Sequence, residues 1–219
     1  MLSLIIRSVN AQETVEIKKR WGGTVYERYF VLKGNRKVKH GLYEQYNHGI
    51  YLEETGMYEH GKRVGRWNFY RAKDTLEQRY NYTTEKLEFS APASIFDFRI
   101  VGELNEGDRV SFPVFVGGKS GFWRLQRLLR YSGGIELFNR YSGGRRFILV
   151  YLDRNGEPEK LETLFTRGDK KEVYKHSISS EIRNAIKLVP ATVNGKNAES
   201  VLIVERFIPS PTIMVRAIR

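Results

Sequence analysis

The sequence predicts a mainly β chain in two parts: stacked β-hairpins first, then a small α+β domain. Three observations carry this expectation. The chain holds 13 Tyr and 12 Phe, and flat rings suit a pleated, half-buried surface. Residues 25–89 repeat at an offset of 24 (65 − 41): Gly41-Leu42-Tyr43-Glu44-Gln45-Tyr46 aligns with Gly65-Arg66-Trp67-Asn68-Phe69-Tyr70, Leu52 with Leu76, Tyr58 with Tyr82, and Lys62 with Lys86. Residues 113–209 instead alternate segments of helical and strand period.

Taken in order, residues 1–11 read MLSLIIRSVNA. Leu2, Leu4, Ile5 and Ile6 form a short apolar stretch, and Val9 and Ala11 fit a small-residue cleavage site before polar sequence at Gln12. The expectation is a signal-peptide remnant and a periplasmic or secreted protein, with the cytoplasm as the alternative. No apolar run reaches the roughly 20 residues that span a bilayer, so no transmembrane segment is expected.

Within residues 25–89, Tyr26–Leu32 reads as a strand. Beyond it, Gly41, Gly49, Gly56, Gly61 and Gly65 mark turns or close backbone approach, with Tyr43, Tyr58, Trp67 and Tyr70 between them. An isolated hairpin is marginal in water, so the units must stack. The segment resembles MORN repeats, in particular bacterial variants with the pattern G-x-Y/W-x-x-Y-x-x-G. Gly41-x-Tyr43-x-x-Tyr46-x-x-Gly49 and the run from Gly56 to Tyr70 carry the likeness. It implies that Tyr43, Tyr46, Tyr58, Trp67 and Tyr70 serve the fold first and a ligand surface second.

Residues 90–112 read as a junction. Ala91-Pro92-Ala93 and Asn105-Glu106-Gly107-Asp108 are turn signals around one or two strands, over Ile95–Leu104 and Arg109–Phe112.

In residues 113–209, Phe122, Leu125, Leu128 and Leu129 lie at helical spacing. Arg146–Leu152 reads as a buried strand, Asp153–Gly156 as a hairpin turn and Pro158–Thr166 as a second strand. Ser179–Val189 reads as a helix capped by Ser179 or Ser180, with Ile182, Ala185, Ile186 and Val189 on one face and Pro190 as its stop. Asn194-Gly195-Lys196 turns into a last strand, Glu199–Phe207.

This order resembles the TonB C-terminal domain family. The matching pieces are Pro113-x-Phe115-x-Gly117-Gly118, Tyr151–Gly156, Ile182–Ile186, Pro190 with Asn194-Gly195-Lys196, and the end at Phe207-Ile208-Pro209. The chain departs from that pattern at Ala191–Val193, where a Trp is usual, at Ser132, where a Pro is common after the Tyr, and at Arg167–Lys175, an added charged stretch that lengthens the loop before the second helix. The resemblance implies envelope transport and capture of an extended peptide by strand addition at an exposed edge, here Val201, Ile203, Val204 and Phe207. With no membrane anchor or Pro-rich spacer in the sequence, a binding module is expected rather than an energy transducer.

Composition and motifs point away from catalysis. There is no cysteine, which removes disulfides, thiolate ligands and a cysteine nucleophile. Gly118-Lys119-Ser120 resembles the end of a P-loop, but position 113, where its first glycine must stand, is Pro. His40, His48, His60 and His176 would hold a metal only if they converged. Glu53 and Glu54 are neighbours that a strand points to opposite faces. No enzyme activity, cofactor or metal is expected.

The net charge of +12, from 37 Lys+Arg against 25 Asp+Glu, favours anionic partners. Acidic residues interrupt the basic ones throughout, so a protein partner is expected rather than nucleic acid. Arg124, Arg127, Arg130, Arg145 and Arg146 are candidates for a basic face. The alternatives to an envelope binding module are an antitoxin-like or immunity-like role, as in some proteins resembling the MORN-variant array, and adsorption to an anionic membrane or cell-wall surface.

Overall fold

Strand-period sequence dominates the fold, and the chain is mainly β. The computed structural model of the chain describes residues 13–21, 24–71, 74–92, 97–129 and 134–208; the expected signal-peptide remnant, residues 1–11, lies outside them. Two compact units meet in sequence at Ser90 and Ala91.

The first unit is a seven-stranded antiparallel meander: β1 (Thr14–Trp21), β2 (Val25–Leu32), β3 (Asn35–Asn47), β4 (Tyr51–Glu59), β5 (Lys62–Arg71), β6 (Thr75–Asn81) and β7 (Lys86–Ser90), each hydrogen-bonded to the next. Turn chemistry fixes the register. His60 and Gly61 both have positive φ (46° and 82°) between the paired Glu59 and Lys62, the geometry of a two-residue hairpin turn whose twist matches its strands. In the β6–β7 turn, the Asn81 side-chain oxygen accepts the amides of Thr83 and Thr84, a local substitute for a backbone turn. β1 lies upstream of the expected array. It has no glycine or ring motif, and only the alternation of half-buried Val15 and Ile17 with exposed Glu16 and Lys18 marks it.

The pleat sorts the side chains of this sheet. Glu27, Tyr29, Tyr43, Gln45, Glu54, Tyr58, Trp67, Phe69, Gln78 and Tyr80 share one face through their cross-strand pairs. Tyr43, Trp67, Phe69 and Tyr80 are buried there.

The second unit is built on a five-stranded antiparallel sheet in the order β13-β12-β11-β17-β8. Its elements are β8 (Asp97–Ile100), β9 (Val110–Ser111), β10 (Val114–Phe115), α1 (Gly118–Leu129), α2 (Gly134–Arg140), β11 (Arg145–Leu152), β12 (Pro158–Arg167), β13 (Lys170–His176), α3 (Ser180–Ala185), β14 (Leu188–Val189), β15 (Ala191–Val193), β16 (Lys196–Ala198) and β17 (Ser200–Phe207). Phe122, Leu125 and Leu129 of α1 pack with Ile148, Val150 and Leu152 of β11, Leu161 of β12, and Leu202 and Val204 of β17. Burying each such side chain contributes about 1.5–3 kcal/mol. α2 has its own cluster, in which Leu137 and Tyr141 close on Phe165 and Ile208.

Three expectations for this unit are corrected. Arg167–Lys175 is not a lengthened loop: Arg167 pairs with Lys170 and the chain returns as β13 along β12. The helix expected over Ser179–Val189 ends at Ala185, with Ser179 as its cap. Pro190 pushes the preceding residue out of the α region, and Val189 pairs with Val114 in a two-stranded sheet instead. The last strand is not an exposed edge, because β8, from the stretch read as a junction, pairs with Ser200–Ile203 while β11 covers the other side of β17.

Candidate binding surfaces

The peptide-accepting residues expected on β17 are not available as a set. Val201 and Ile203 are paired on both sides. Val204 is fully buried in the core, and Phe207 lies past the β8 pairing with its ring exposed. Over Ser200–Ile203 the strand lies between two others and has no free N–H or C=O row to offer; over Val204–Phe207 β11 pairs with one side, and no described strand pairs with the other.

That row is found on β13. It pairs with β12 from Arg167↔Lys170 to Leu161↔His176, and among the described residues no strand pairs with its other side. Val173 is 50% exposed and Tyr174 36%, so an apolar side chain stands on each face of the edge. Lys170, Lys171 and Lys175 flank them, all exposed. Lysines on an edge discourage pairing with a second copy, yet favour an acidic strand. The far end is fixed by His176, whose ring lies 4.9 Å from the Tyr174 ring and whose Nε2 lies 2.8 Å from Thr163 Oγ1. Burial holds the His176 imidazole below its usual pKa, because a buried imidazolium loses its hydration.

The expected basic face is only partly described. The side chains of Arg124 and Arg127, and residue Arg130, lie outside the described set. Arg145 pairs with Glu205 at 2.7 Å. Arg146, its neighbour along β11, stacks its guanidinium 4.9 Å from the centre of the Phe138 ring. Adjacent strand residues point to opposite faces, so these two arginines do not make one patch.

In the first unit, the repeat builds two cation–aromatic cradles. Lys39 Nζ lies 4.6, 4.4 and 5.1 Å from the ring centres of Tyr29, Tyr43 and Tyr58. The Arg63 guanidinium lies 3.8 Å from the Trp67 ring centre and 5.5 Å from that of Tyr82. Lys39 and Arg63, Tyr43 and Trp67, and Tyr58 and Tyr82 each stand at the repeat offset. The sequence therefore carried a signal for the cations that the aromatic alignment left unread. Each cation contributes attraction to the ring faces and lays its apolar stem across them, which covers rings that a one-layer sheet would otherwise expose.

The second cradle also holds a carboxylate. Glu54, 0% exposed, accepts from Arg63 Nη2 at 3.1 Å. Burial works against the guanidinium charge, but Glu54 and the Tyr82 and Tyr58 hydroxyls outweigh it and keep Arg63 well above its usual pKa. Burial, reinforced by Glu54 and Glu27, raises the Tyr43 phenol and keeps it protonated. Tyr46 and Tyr70 are half-buried, and Tyr46 lies 6.0 Å from Tyr26 between ring centres.

Of the four histidines, His40 and His60 come together, with ring centres 5.1 Å apart and the His60 amide donating to His40 Nδ1. Among the described residues no group of three or more His, Cys, Asp or Glu could hold a metal ion. Asp153 accepts the amides of Asn155 and Glu157 with one carboxylate oxygen, so turn geometry occupies it. Glu53 and Glu54 do not simply alternate. The register shifts between Gln45 and Tyr46, and Glu53 turns to accept from Gln45 and Asn47.

No family model, no curated protein and no solved structure matches the chain. Among the described residues no helix is long and apolar enough to cross a membrane.

Proposed function

We propose that this chain is a non-enzymatic, exported protein-binding module of the cell envelope, and that it takes an extended partner segment as an added strand on β13. The observation that carries the reading is the open side of β13, where Val173 and Tyr174 offer an apolar contact on each face. Main-chain hydrogen bonds would supply affinity there, and the two side-chain faces selectivity. The three lysines select an acidic segment over a basic one. Export rests on the apolar stretch and cleavage-like residues of Met1–Ala11, and the sequence resemblances to MORN variants and to the TonB C-terminal domain are consistent with the assignment.

The test is a random-peptide display selection on the purified chain, followed by proline substitution at Val173 and, separately, at Tyr174. N–H direction alternates along a strand, so one of the two amides points away from β12. The expected result is selection of extended acidic peptides whose binding is lost in the proline variant with the outward amide, while that variant stays folded. Binding unchanged in both folded variants refutes the proposal. Export is tested by fractionating cells and sequencing the mature N-terminus, which should begin near Gln12.

A further inference from the structure

The two cradles of the first sheet share the ring positions Tyr43/Trp67 and Tyr58/Tyr82, differ in their third ring, Tyr29 in one and Phe69 in the other, and differ again in how their carboxylates are used. Sheet register identifies matching carboxylates: Glu54 stands opposite Phe69 and Glu27 opposite Gln45, with Gln45 and Phe69 at the repeat offset. In the second cradle the central ring is Trp67, which has no hydroxyl, and Glu54 answers Arg63. In the first, the central ring is Tyr43, whose hydroxyl donates to Glu27 at 2.8 Å. Glu27 is held there, and Lys39 meets three ring faces with no described carboxylate within ion-pairing distance of its ammonium. An ammonium has three donors, and ring faces accept none of them as a carboxylate would.

The surroundings are basic. The same end of the sheet carries Arg36, Lys37 and Lys62, all exposed. Lys33 is balanced by Glu13 at 2.6 Å, and the exposed Glu59 is the opposing charge nearest this end of the β4–β5 hairpin.

We infer that this end of the first sheet is a docking surface for an acidic segment of a partner protein, with one partner carboxylate seated on Lys39 Nζ between the Tyr29 and Tyr58 rings. The surface goes beyond the β13 edge and does not depend on it. The second cradle supplies a partial precedent within the molecule: Trp67, Tyr82 and Arg63 stand at the repeat offset from Tyr43, Tyr58 and Lys39, and that cation takes a carboxylate. A carboxylate that reaches Lys39 gains a charge-assisted hydrogen bond, and the charges of Arg36, Lys37 and Lys62 at the same end of the sheet draw an acidic segment toward it through space.

The test measures binding of a labelled oligoglutamate peptide to the full chain at low salt by fluorescence anisotropy. Lys39→Gln should weaken binding about tenfold or more, since hydrogen bonds to charged groups lie at the strong end of their class. Lys196→Gln, an exposed lysine of β16 in the second unit, removes the same charge and should leave binding unchanged. Arg36→Gln with Lys37→Gln alters exposed residues alone, should preserve the fold and should also weaken binding. Equal effects of Lys39→Gln and Lys196→Gln would reduce the interaction to net charge and overturn the inference. So would an absence of oligoglutamate binding, or tighter binding of a single-stranded oligothymidylate of equal charge. The proline variants at Val173 and Tyr174 should keep the part of the oligoglutamate binding that Lys39→Gln removes. Loss of that part in those variants would assign the peptide to β13 and overturn this surface while leaving the edge-strand reading intact.

Discussion

Gly56→Ala is the smallest change that should disorganise the first sheet. A Cβ on Gly56 would lie 2.3, 2.4 and 2.5 Å from Cδ2, Cε2 and Cγ of Trp67. Carbon atoms settle at about 3.5–4.0 Å, so the indole would have to retreat by more than about 1 Å. It has nowhere to go. Trp67 is fully buried, packed at 5.5, 5.2 and 5.8 Å between the ring centres of Tyr43, Tyr58 and Tyr82, and capped by Arg63. Its Nε1 donates to the Met57 carbonyl at 3.1 Å. Overpacking costs about 1–3 kcal/mol, and displacing the indole also disturbs that bond and the Arg63–Glu54 pair, which places the expected loss at roughly 3 kcal/mol or above. For a unit of this size such a loss lowers Tm by about 12–24 °C. Calorimetry is the appropriate assay, because two units can unfold separately and only the first unit's transition should move. Gly34→Ala is the control. Nothing lies within 4 Å of its Cβ position and its φ is not positive, so it should change stability by less than about 0.5 kcal/mol. A Gly56→Ala chain as stable as the parent, or a Gly34→Ala chain equally damaged, would refute the close-approach argument.

Other outcomes follow from the same geometry. Glu54→Ala leaves Arg63, whose side chain is 16% exposed, charged and without its carboxylate and should cost the first unit about 3 kcal/mol, the low end for a broken buried pair, whereas replacing both residues with apolar ones should cost far less; urea unfolding of the single and double variants checks this. The depressed His176 pKa makes its contribution to stability complete above the unfolded value near 6.5 and lost as pH falls through the lower folded value. The stability difference between the parent and His176→Gln should therefore shrink on acidification below about pH 6.5, measured by thermal melts across pH; a difference that grows would contradict it. Ser179→Ala removes the oxygen that accepts the Ile182 amide and should cost about 1 kcal/mol, read from the second unit's transition.

What the sequence made legible was local. Ring and glycine spacing located the hairpins, and Asp153–Gly156, Asn194–Lys196 and the Ser179 cap could be placed from turn and cap chemistry. Failures came where pairing between distant residues decides. Nothing in Asp97–Ile100 announces that it will cover β17, and that non-local choice turned the expected edge into an interior strand. Lys170–His176 reads as a charged loop because an edge strand can carry exposed charge on both faces. Ser179–Val189 has helical spacing throughout, but the pairing of Val189 with Val114 and the restriction imposed by Pro190 outweigh one more turn of helix. In the first unit, aligning aromatics alone concealed Lys39 and Arg63, which obey the same repeat. The difference that matters between the cradles, a phenol hydroxyl at 43 and none at 67, is visible only once Glu27 and Glu54 are seen to occupy matching register positions.

The proposal stands or falls at β13, and amide hydrogen exchange measures it most directly. Exchange should be followed for the chain alone and with a saturating display-selected acidic peptide. Strand addition predicts that the outward-pointing amides among Lys170–His176 slow markedly on binding while the amides of β17 stay as they were. Peptide binding that leaves β13 exchange unchanged and protects some other element would contradict the account.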